Sequence, residues 1–224
     1  MATKRSYGDR CGVARALDVV GERWALLVVR ELLLGPKRFT DLRAGICHAG
    51  PNVLAQRLRE LEAAGVVRRR KLPPPAASRV YELTEWGREL EPVVTALGRW
   101  GARSPLRSPD ADMSVDSHVL AIRTMFDPAA AGDLELRLEL RLGEEVFHAV
   151  VSGGELDAGR GAVEAPEAVL ATDPLTLASI LWQGRDLDEA RRAGDVTVEG
   201  DAAAVERFLG LFSLPQPAAA PVVA

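Results

Sequence analysis

Three polar side chains repeat along one face of a helix that the sequence predicts over residues 51–64. Helical periodicity places three leucines on the opposite face, where a core would lie: Leu54, Leu58 and Leu61. The outward row consists of Asn52, Gln56 and Arg59. A carboxamide can donate and accept hydrogen bonds at an adenine edge, whereas a guanidinium suits guanine or a phosphate. The row therefore predicts selective contact with the major groove of DNA, although most such rows simply face solvent.

A cluster of basic residues surrounds the hairpin that is predicted to follow this helix. The apolar period changes to two over residues 66–71 and 79–83, and a loop with three prolines joins them. Phosphate contacts supply most sequence-independent affinity for DNA and make that affinity salt-dependent. We expect a clamp on the DNA backbone from Arg68, Arg69, Arg70, Lys71 and Arg79. Two further arginines complete the candidate DNA-binding set: Arg38 and Arg57.

The charge of the chain is divided unequally between its halves. Residues 1–105 carry 19 Lys and Arg against 11 Asp and Glu, whereas residues 106–224 carry 9 against 21. The net charges are thus +8 and −12, although the whole chain of 224 residues carries only −4. Such a division suggests one module for a polyanion and a second module for another task.

Helices dominate the predicted basic half, whereas strands and helices alternate in the predicted acidic half. Besides the helix and hairpin above, we predict helices near residues 13–20, 24–34 and 39–46, and a long helix over 85–101 capped by Thr84. Residues 104–114 are predicted to form a linker, and residues 216–224 a disordered tail. In the acidic half, the strict alternation over 134–142 predicts a strand. Further strands are predicted over 146–151, 168–171 and 196–198, and further helices over 115–126, 174–183, 187–193 and 202–212.

The basic half carries a dense set of residues that matches one known family: Cys11, Ala16-Leu17-Asp18, Gly21-Glu22-Arg23-Trp24, Leu32-Leu33, Gly35-Pro36, Arg38-Phe39, Leu42-Arg43, Leu54, Arg57-Leu58-Arg59-Glu60-Leu61, Gly65, Val67, Tyr81, Leu83-Thr84, Gly87 and Leu90. In these residues the basic half resembles the HxlR-type winged helix-turn-helix regulators. The resemblance implies a bacterial, homodimeric DNA-binding regulator in which the 51–64 helix enters the major groove of an inverted-repeat operator. It also implies that the first helix and the long helix build the dimer, through Val13, Leu17, Leu90, Val94, Leu97 and Trp100.

The acidic half carries a second set of family-like residues: Ala171-Thr172-Asp173-Pro174, Leu181-Trp182-Gln183-Gly184, Arg192-Ala193-Gly194-Asp195, Val198-Glu199-Gly200-Asp201, Phe208 and Phe212-Ser213-Leu214-Pro215. With these residues the segment from about Ser117 to Pro215 resembles sterol carrier protein-2-like domains, and we assign residues 115–215 to such a domain. The resemblance implies an apolar tunnel for a hydrophobic small molecule, lined by Leu177, Ile180, Leu181, Trp182, Phe208, Leu211 and Phe212, although each of these also suits a packed core. The expected fold class is therefore α+β: a mostly helical winged domain over residues 1–103, followed by an α/β sterol-carrier-like domain.

Other chemistry has little support in the sequence. Cys11 and Cys47 are the two cysteines, too few for a disulfide framework. Cys11, between Arg10 and Arg15, is a candidate redox-sensing thiol. We expect no metal site, cofactor, enzyme activity or membrane span, and a cytoplasmic location. Two alternatives stay open: a regulator gated by the Cys11 thiol whose second domain only packs or dimerises, and a lipid carrier or interaction protein.

Overall fold

The computed structural model describes residues 6–75, 77–105 and 113–219. The chain divides into two compact units, Met1–Val94 and Thr95–Ala224. The division falls within a helix, ahead of the boundary predicted at residue 103. Most of the predicted linker, residues 106–112, lies outside the described residues, as do residues 220–224 of the predicted tail.

The first unit is a small helical domain with a two-stranded sheet. Its core combines Val28, Val29 and Leu32 with the three predicted leucines, Leu54, Leu58 and Leu61, each at most 3% exposed. The predicted inward face of the fourth helix is thus confirmed. The elements of this unit are α1 (Gly12–Val20), α2 (Ala25–Leu32), α3 (Phe39–Gly45), α4 (Pro51–Ala63), β1 (Val67–Lys71), β2 (Arg79–Leu83), α5 (Glu85–Arg88) and the start of α6 (Glu91–Ala102).

Local sequence signals set the ends of α4. Pro51 occupies the first turn, where its missing N–H costs no intrahelical hydrogen bond. At the other end Gly65 adopts a positive φ of 78°, and the Val66 N–H donates to the carbonyl of Leu61 at 2.9 Å. The chain then enters β1, which pairs with antiparallel β2 from Val67 opposite Leu83 to Lys71 opposite Arg79.

The predicted helix over residues 85–101 is wrong as a single element. It is divided into α5 and α6 by a turn at residues 89–90. Pro92 explains the break, because its ring carries no N–H and would clash with the carbonyl of Arg88 in a continuous helix. The predicted cap is confirmed, since the Thr84 hydroxyl accepts the Gly87 N–H at 3.0 Å.

The second unit contains a five-stranded sheet with the strand order β5-β4-β3-β6-β7. All neighbouring strands are antiparallel except β3 and β6, which are parallel. The mixed α+β class is therefore confirmed. Its elements are α7 (Val115–Met125), α8 (Pro128–Ala131), β3 (Leu136–Leu142), β4 (Glu145–Ser152), β5 (Glu155–Arg160), β6 (Ala168–Thr172), α9 (Pro174–Gln183), α10 (Leu187–Arg192), β7 (Val196–Gly200) and α11 (Ala202–Leu209).

The alternation in β3 divides the sheet into an apolar face and a polar face. Leu136, Leu138, Leu140 and Leu142 are at most 1% exposed, whereas Arg137 and Arg141 are exposed on the other face. Strand β5 and the short helix α8 were not predicted. The chain beyond α11 is bound to Arg103. The Nε of Arg103 donates to the carbonyl of Gln216, and its backbone carbonyl accepts from the N–H of Ala218. Within the described ranges, none of the helices combines the length and apolarity that crossing a membrane requires.

Candidate nucleic-acid interface

Helix α4 presents the predicted polar row away from the core. Asn52 and Arg59 are exposed and Gln56 is half-buried, while the leucines of the other face are enclosed. The helix therefore offers a carboxamide and a guanidinium on its accessible surface, which are the groups that read base edges in a major groove.

Hydrogen bonds connect two side chains of this row to each other and to Glu60. The Gln56 Nε2 donates to Oε1 of Glu60 at 2.7 Å, and Nη2 of Arg59 donates to Oε1 of Gln56 at 2.6 Å. Glu60 was not predicted as a site residue. The signal was present in its position four residues after Gln56, since residues at this spacing are neighbours on a helix surface.

Two of the predicted DNA contacts lie apart from this row. The Arg57 side chain is only 13% exposed and pairs with Glu60, and its Nη2 lies 3.7 Å from a carboxylate oxygen of Glu22. Its guanidinium is therefore held by the protein's own carboxylates. Arg38 is exposed immediately before α3, where Oδ2 of Asp41 accepts its backbone N–H at 3.0 Å.

The β1–β2 hairpin and its loop, here called the wing, hold two arginines on one buried carboxylate. Nε of Arg68 lies 2.7 Å from Oε1 of Glu82, and Nε of Arg70 lies 2.8 Å from Oε2 of the same residue. The Glu82 side chain is only 6% exposed, whereas both arginines are largely open to solvent. Each of the two arginines thus contacts Glu82 through its Nε atom. Glu82 was not among the predicted site residues.

The other wing cations are arranged differently. The Arg69 guanidinium lies 5.3 Å from the ring centroid of Tyr81 and 3.1 Å from Glu62 Oε2. Lys71 and Arg79 are exposed and lie opposite each other in the last residue pair of β1 and β2. The structure thus brings all five predicted wing cations onto one small hairpin.

A buried ion cluster fixes the base of the wing. The backbone of Lys37 exchanges two hydrogen bonds with Tyr81, at 3.0 and 2.8 Å. Its Nζ donates to Oε2 of the fully buried Glu31 at 2.6 Å, and Arg30 donates to Oε1 at 2.8 Å. A Cβ atom on Gly45 would overlap with Oε2 of Glu31. The cluster therefore joins α2, α3 and β2 at one point.

The candidate lining residues of the second unit differ in burial. Leu177 and Phe208 are at most 1% exposed, and the Phe212 ring packs edge-on against Phe208 with centroids 4.9 Å apart. Leu181 and Trp182 on α9 are half-buried. Asp173 caps α9, and although burial opposes its charge, hydrogen bonds from Thr176 and Leu175 hold its pKa below the ordinary value.

Comparison with known proteins assigns the first half of the chain. The HxlR-like helix-turn-helix family matches residues 19–107. YvaP, an uncharacterized HTH-type transcriptional regulator of Bacillus subtilis (strain 168), is 36% identical over 86 residues, which is 38% of this chain and 80% of YvaP. The chain belongs to the HxlR-like helix-turn-helix family. This HxlR-like protein is therefore a DNA-binding transcriptional regulator. A structure of the redox regulator HypR in its oxidized form is 36% identical, covers 44% of this chain and 99% of HypR, and has a TM-score of 0.38.

The second half of the HxlR-like regulator belongs to a different family. The alkyl sulfatase C-terminal family matches residues 106–219, which is half of the chain. The sec-alkylsulfatase Pisa1 from Pseudomonas sp. shares 18% identity over 47% of this chain, with a TM-score of 0.45. The match spans only 17% of the Pisa1 chain. The sterol-carrier-like fold stays a prediction.

The predicted dimer residues of the HxlR-like regulator fall into two groups. Val13 and Leu17 on α1 and Leu97 and Trp100 on α6 are between 42% and 73% exposed. Leu90 and Val94 are half-buried and pack against the core of the first unit. Two further side chains of the same apolar stripe, Trp86 and Val93, are also exposed. A groove of about 430 Å³ lies between α1 and α5, lined in part by Ala16, Val19 and Trp86.

The cysteines of the HxlR-like regulator are free and exposed. Cys11 immediately precedes α1, and its backbone N–H donates to Asp9 Oδ1 at 2.9 Å. Cys47 lies before α4 and lines a surface pocket together with Thr40 and Arg43. Within the part of the chain that the structure describes, no three His, Cys, Asp or Glu side chains come together as a metal site would require.

Proposed function

We propose that this HxlR-like regulator binds an inverted-repeat operator as a homodimer, and that a hydrophobic small molecule in its second unit modulates the binding. The observation that carries the proposal is the accessible polar row of α4 next in sequence to a wing with five exposed cations. In this proposal α4 reads bases in the major groove and the wing binds the adjacent backbone.

The exposed apolar residues of α1 and α6 support the homodimer. Val93, Leu97 and Trp100 are spaced to share one face of α6, yet each is at least 47% exposed in the single chain. A second copy would remove this apolar surface from water. Two α4 helices related by the dimer axis would then enter the major groove one turn of DNA apart, about 34 Å.

The second unit supports binding of an apolar ligand rather than of DNA. Residues 106–224 carry a net charge of −12, and this negative charge repels phosphate. Helix α9 is apolar on several faces, and Leu175 is 72% exposed while Ile180, Leu181 and Trp182 are half-buried. The sterol-carrier resemblance supplies the proposed tunnel, which suits an effector with an alkyl chain. We assign this unit a binding role and no catalytic one.

The wing assignment is tested by replacing Arg69 with alanine. We expect weaker binding to every duplex, because phosphate contacts carry no sequence information. The slope of log affinity against log salt should fall by about 0.9 for each lost phosphate contact. Fluorescence anisotropy with random-sequence 30-base-pair duplexes at several salt concentrations measures both quantities. Arg192→Ala, which removes an exposed arginine from α10, is the matched control. Equal binding by wild type and Arg69→Ala would show that the wing does not clamp DNA.

The effector assignment is tested by titrating the full chain with medium- and long-chain fatty acids. We expect a saturable change in Trp182 fluorescence that is absent in Trp182→Phe, together with an approximately 5- to 150-fold change in DNA affinity. If neither signal changes, the second unit is a packing module. The alternative would then be that oxidation of the exposed Cys11 controls DNA binding. In that case an oxidant should change the DNA affinity of wild type but not that of Cys11→Ser.

A further inference from the structure

The Gln56 carboxamide lies between two groups of opposite charge. Its Nε2 donates to a Glu60 oxygen at 2.7 Å, while its Oε1 accepts from the Arg59 guanidinium at 2.6 Å. Glu60 also pairs with Arg57, whose side chain is largely enclosed. The carboxylate is thereby held in place on the helix by a third residue.

This arrangement determines which end of the carboxamide is the donor. A carboxylate only accepts hydrogen bonds and a guanidinium only donates them, so reversing the amide would break both contacts. An isolated glutamine on a helix surface has several rotamers and two amide orientations. Here both are restricted by charge-assisted hydrogen bonds, which are stronger than bonds between neutral groups.

Each contact uses only part of the carboxamide. The amide nitrogen has a second N–H, and the amide oxygen has a second lone pair. The remaining groups form one donor beside one acceptor. Adenine presents the complementary pair in the major groove, with N7 as acceptor and the N6 amino group as donor.

We propose that Glu60 and Arg59 hold the Gln56 carboxamide in the orientation that reads adenine, and that Glu60 is therefore a specificity-determining positioning residue. The inference rests on the proposed entry of α4 into the major groove. Glu60 contributes no affinity of its own, because its carboxylate is repelled by phosphate. Its effect is on the choice of base.

The test compares wild type with Glu60→Gln. Selection from a random duplex pool by wild type identifies the preferred half-site, and each base pair is then replaced in turn. We expect Glu60→Gln to bind random duplex at least as tightly as wild type, because a negative charge is removed. Its preference for adenine at one position should fall about 5- to 150-fold, the range for one bidentate base contact. Placing 7-deazaadenine at that position should weaken wild type but have little effect on Glu60→Gln.

Two further variants separate positioning from other roles. Gln56→Ala should remove the same adenine preference, and the double variant Gln56→Ala with Glu60→Gln should lose nothing more, because both act through one contact. Glu89→Gln removes an exposed carboxylate outside this network and is the charge-matched control.

The possible outcomes distinguish the two proposals. Unchanged adenine preference in Glu60→Gln, with normal DNA binding, would overturn this inference alone. If Glu60→Gln lost a preference for cytosine and kept the preference for adenine, the inference would also be overturned. Glu60 would then accept a hydrogen bond directly from the cytosine amino group. If wild type binds no duplex, the proposed function fails together with the inference.

Discussion

Replacing Trp100 with glutamate is expected to convert the HxlR-like regulator to a monomer and to weaken operator binding about 10²- to 10⁴-fold, the gain that linking two binding modules provides. Trp100 is 73% exposed on α6, one turn beyond Leu97. In the proposed dimer both side chains are buried, so a carboxylate at residue 100 would be left unpaired in an apolar interface. Light scattering at micromolar concentration gives the oligomeric state, and titration of the operator gives the affinity.

Leu214→Glu is the matched control for this experiment, because it places the same charge at an exposed apolar residue elsewhere in the chain. It should leave both the mass and the operator affinity unchanged. A wild-type protein that is monomeric at micromolar concentration would refute the dimer. A Trp100→Glu protein that remains fully dimeric would place the interface elsewhere.

Glu31→Gln should reduce the free energy of unfolding of the first unit by about 3–5 kcal/mol, the usual cost of removing one partner from a buried ion pair. Glu31 is fully buried and accepts from Lys37 at 2.6 Å, so the neutral variant leaves the lysine charge enclosed without its carboxylate. Urea denaturation should show a lower midpoint with an unchanged slope. DNA binding should fall as well, because Lys37 connects the wing to the helices.

The double variant Glu31→Leu with Lys37→Met tests this explanation. Replacing both charges by apolar side chains often costs nothing, so its midpoint should lie closer to that of wild type. Glu89→Gln, at an exposed residue of the same unit, should change the midpoint little. If Glu31→Gln lost less than about 1 kcal/mol of unfolding free energy, the Glu31–Lys37 pair would be no stronger than an exposed salt bridge, and this explanation would be wrong.

Local periodicity was enough to predict the elements that carry the proposed DNA-binding residues. The leucine spacing of α4 determined its inward face, and the change to a period of two predicted β1 and β2. These features depend on residues that are close in sequence, so the sequence pattern alone is enough to predict them. The outward placement of Asn52, Gln56 and Arg59 followed directly.

The partners of those residues could not be predicted in the same way. Glu82 lies 14 residues from Arg68, and only the register of the hairpin brings them together. Arg57 was predicted to contact DNA, and the fold places its guanidinium against Glu60 and 3.7 Å from Glu22. Strand β5 alternates polar and apolar residues only over Glu155–Ala158, which is the shortest run that predicts a strand. It forms as an edge strand because β4 supplies its hydrogen bonds.

The residues beneath the wing also bear on how relatives of this chain should vary. Glu31 needs Lys37 as a partner, and the carboxylate occupies the space that a side chain at residue 45 would fill. The three positions should therefore change together rather than singly. A homologue that lacks the acid at position 31 should also lack the lysine at 37, and only such a homologue should carry a residue larger than glycine at 45. An alignment of homologues would then show these positions as one covarying group, although they lie on separate segments of the chain.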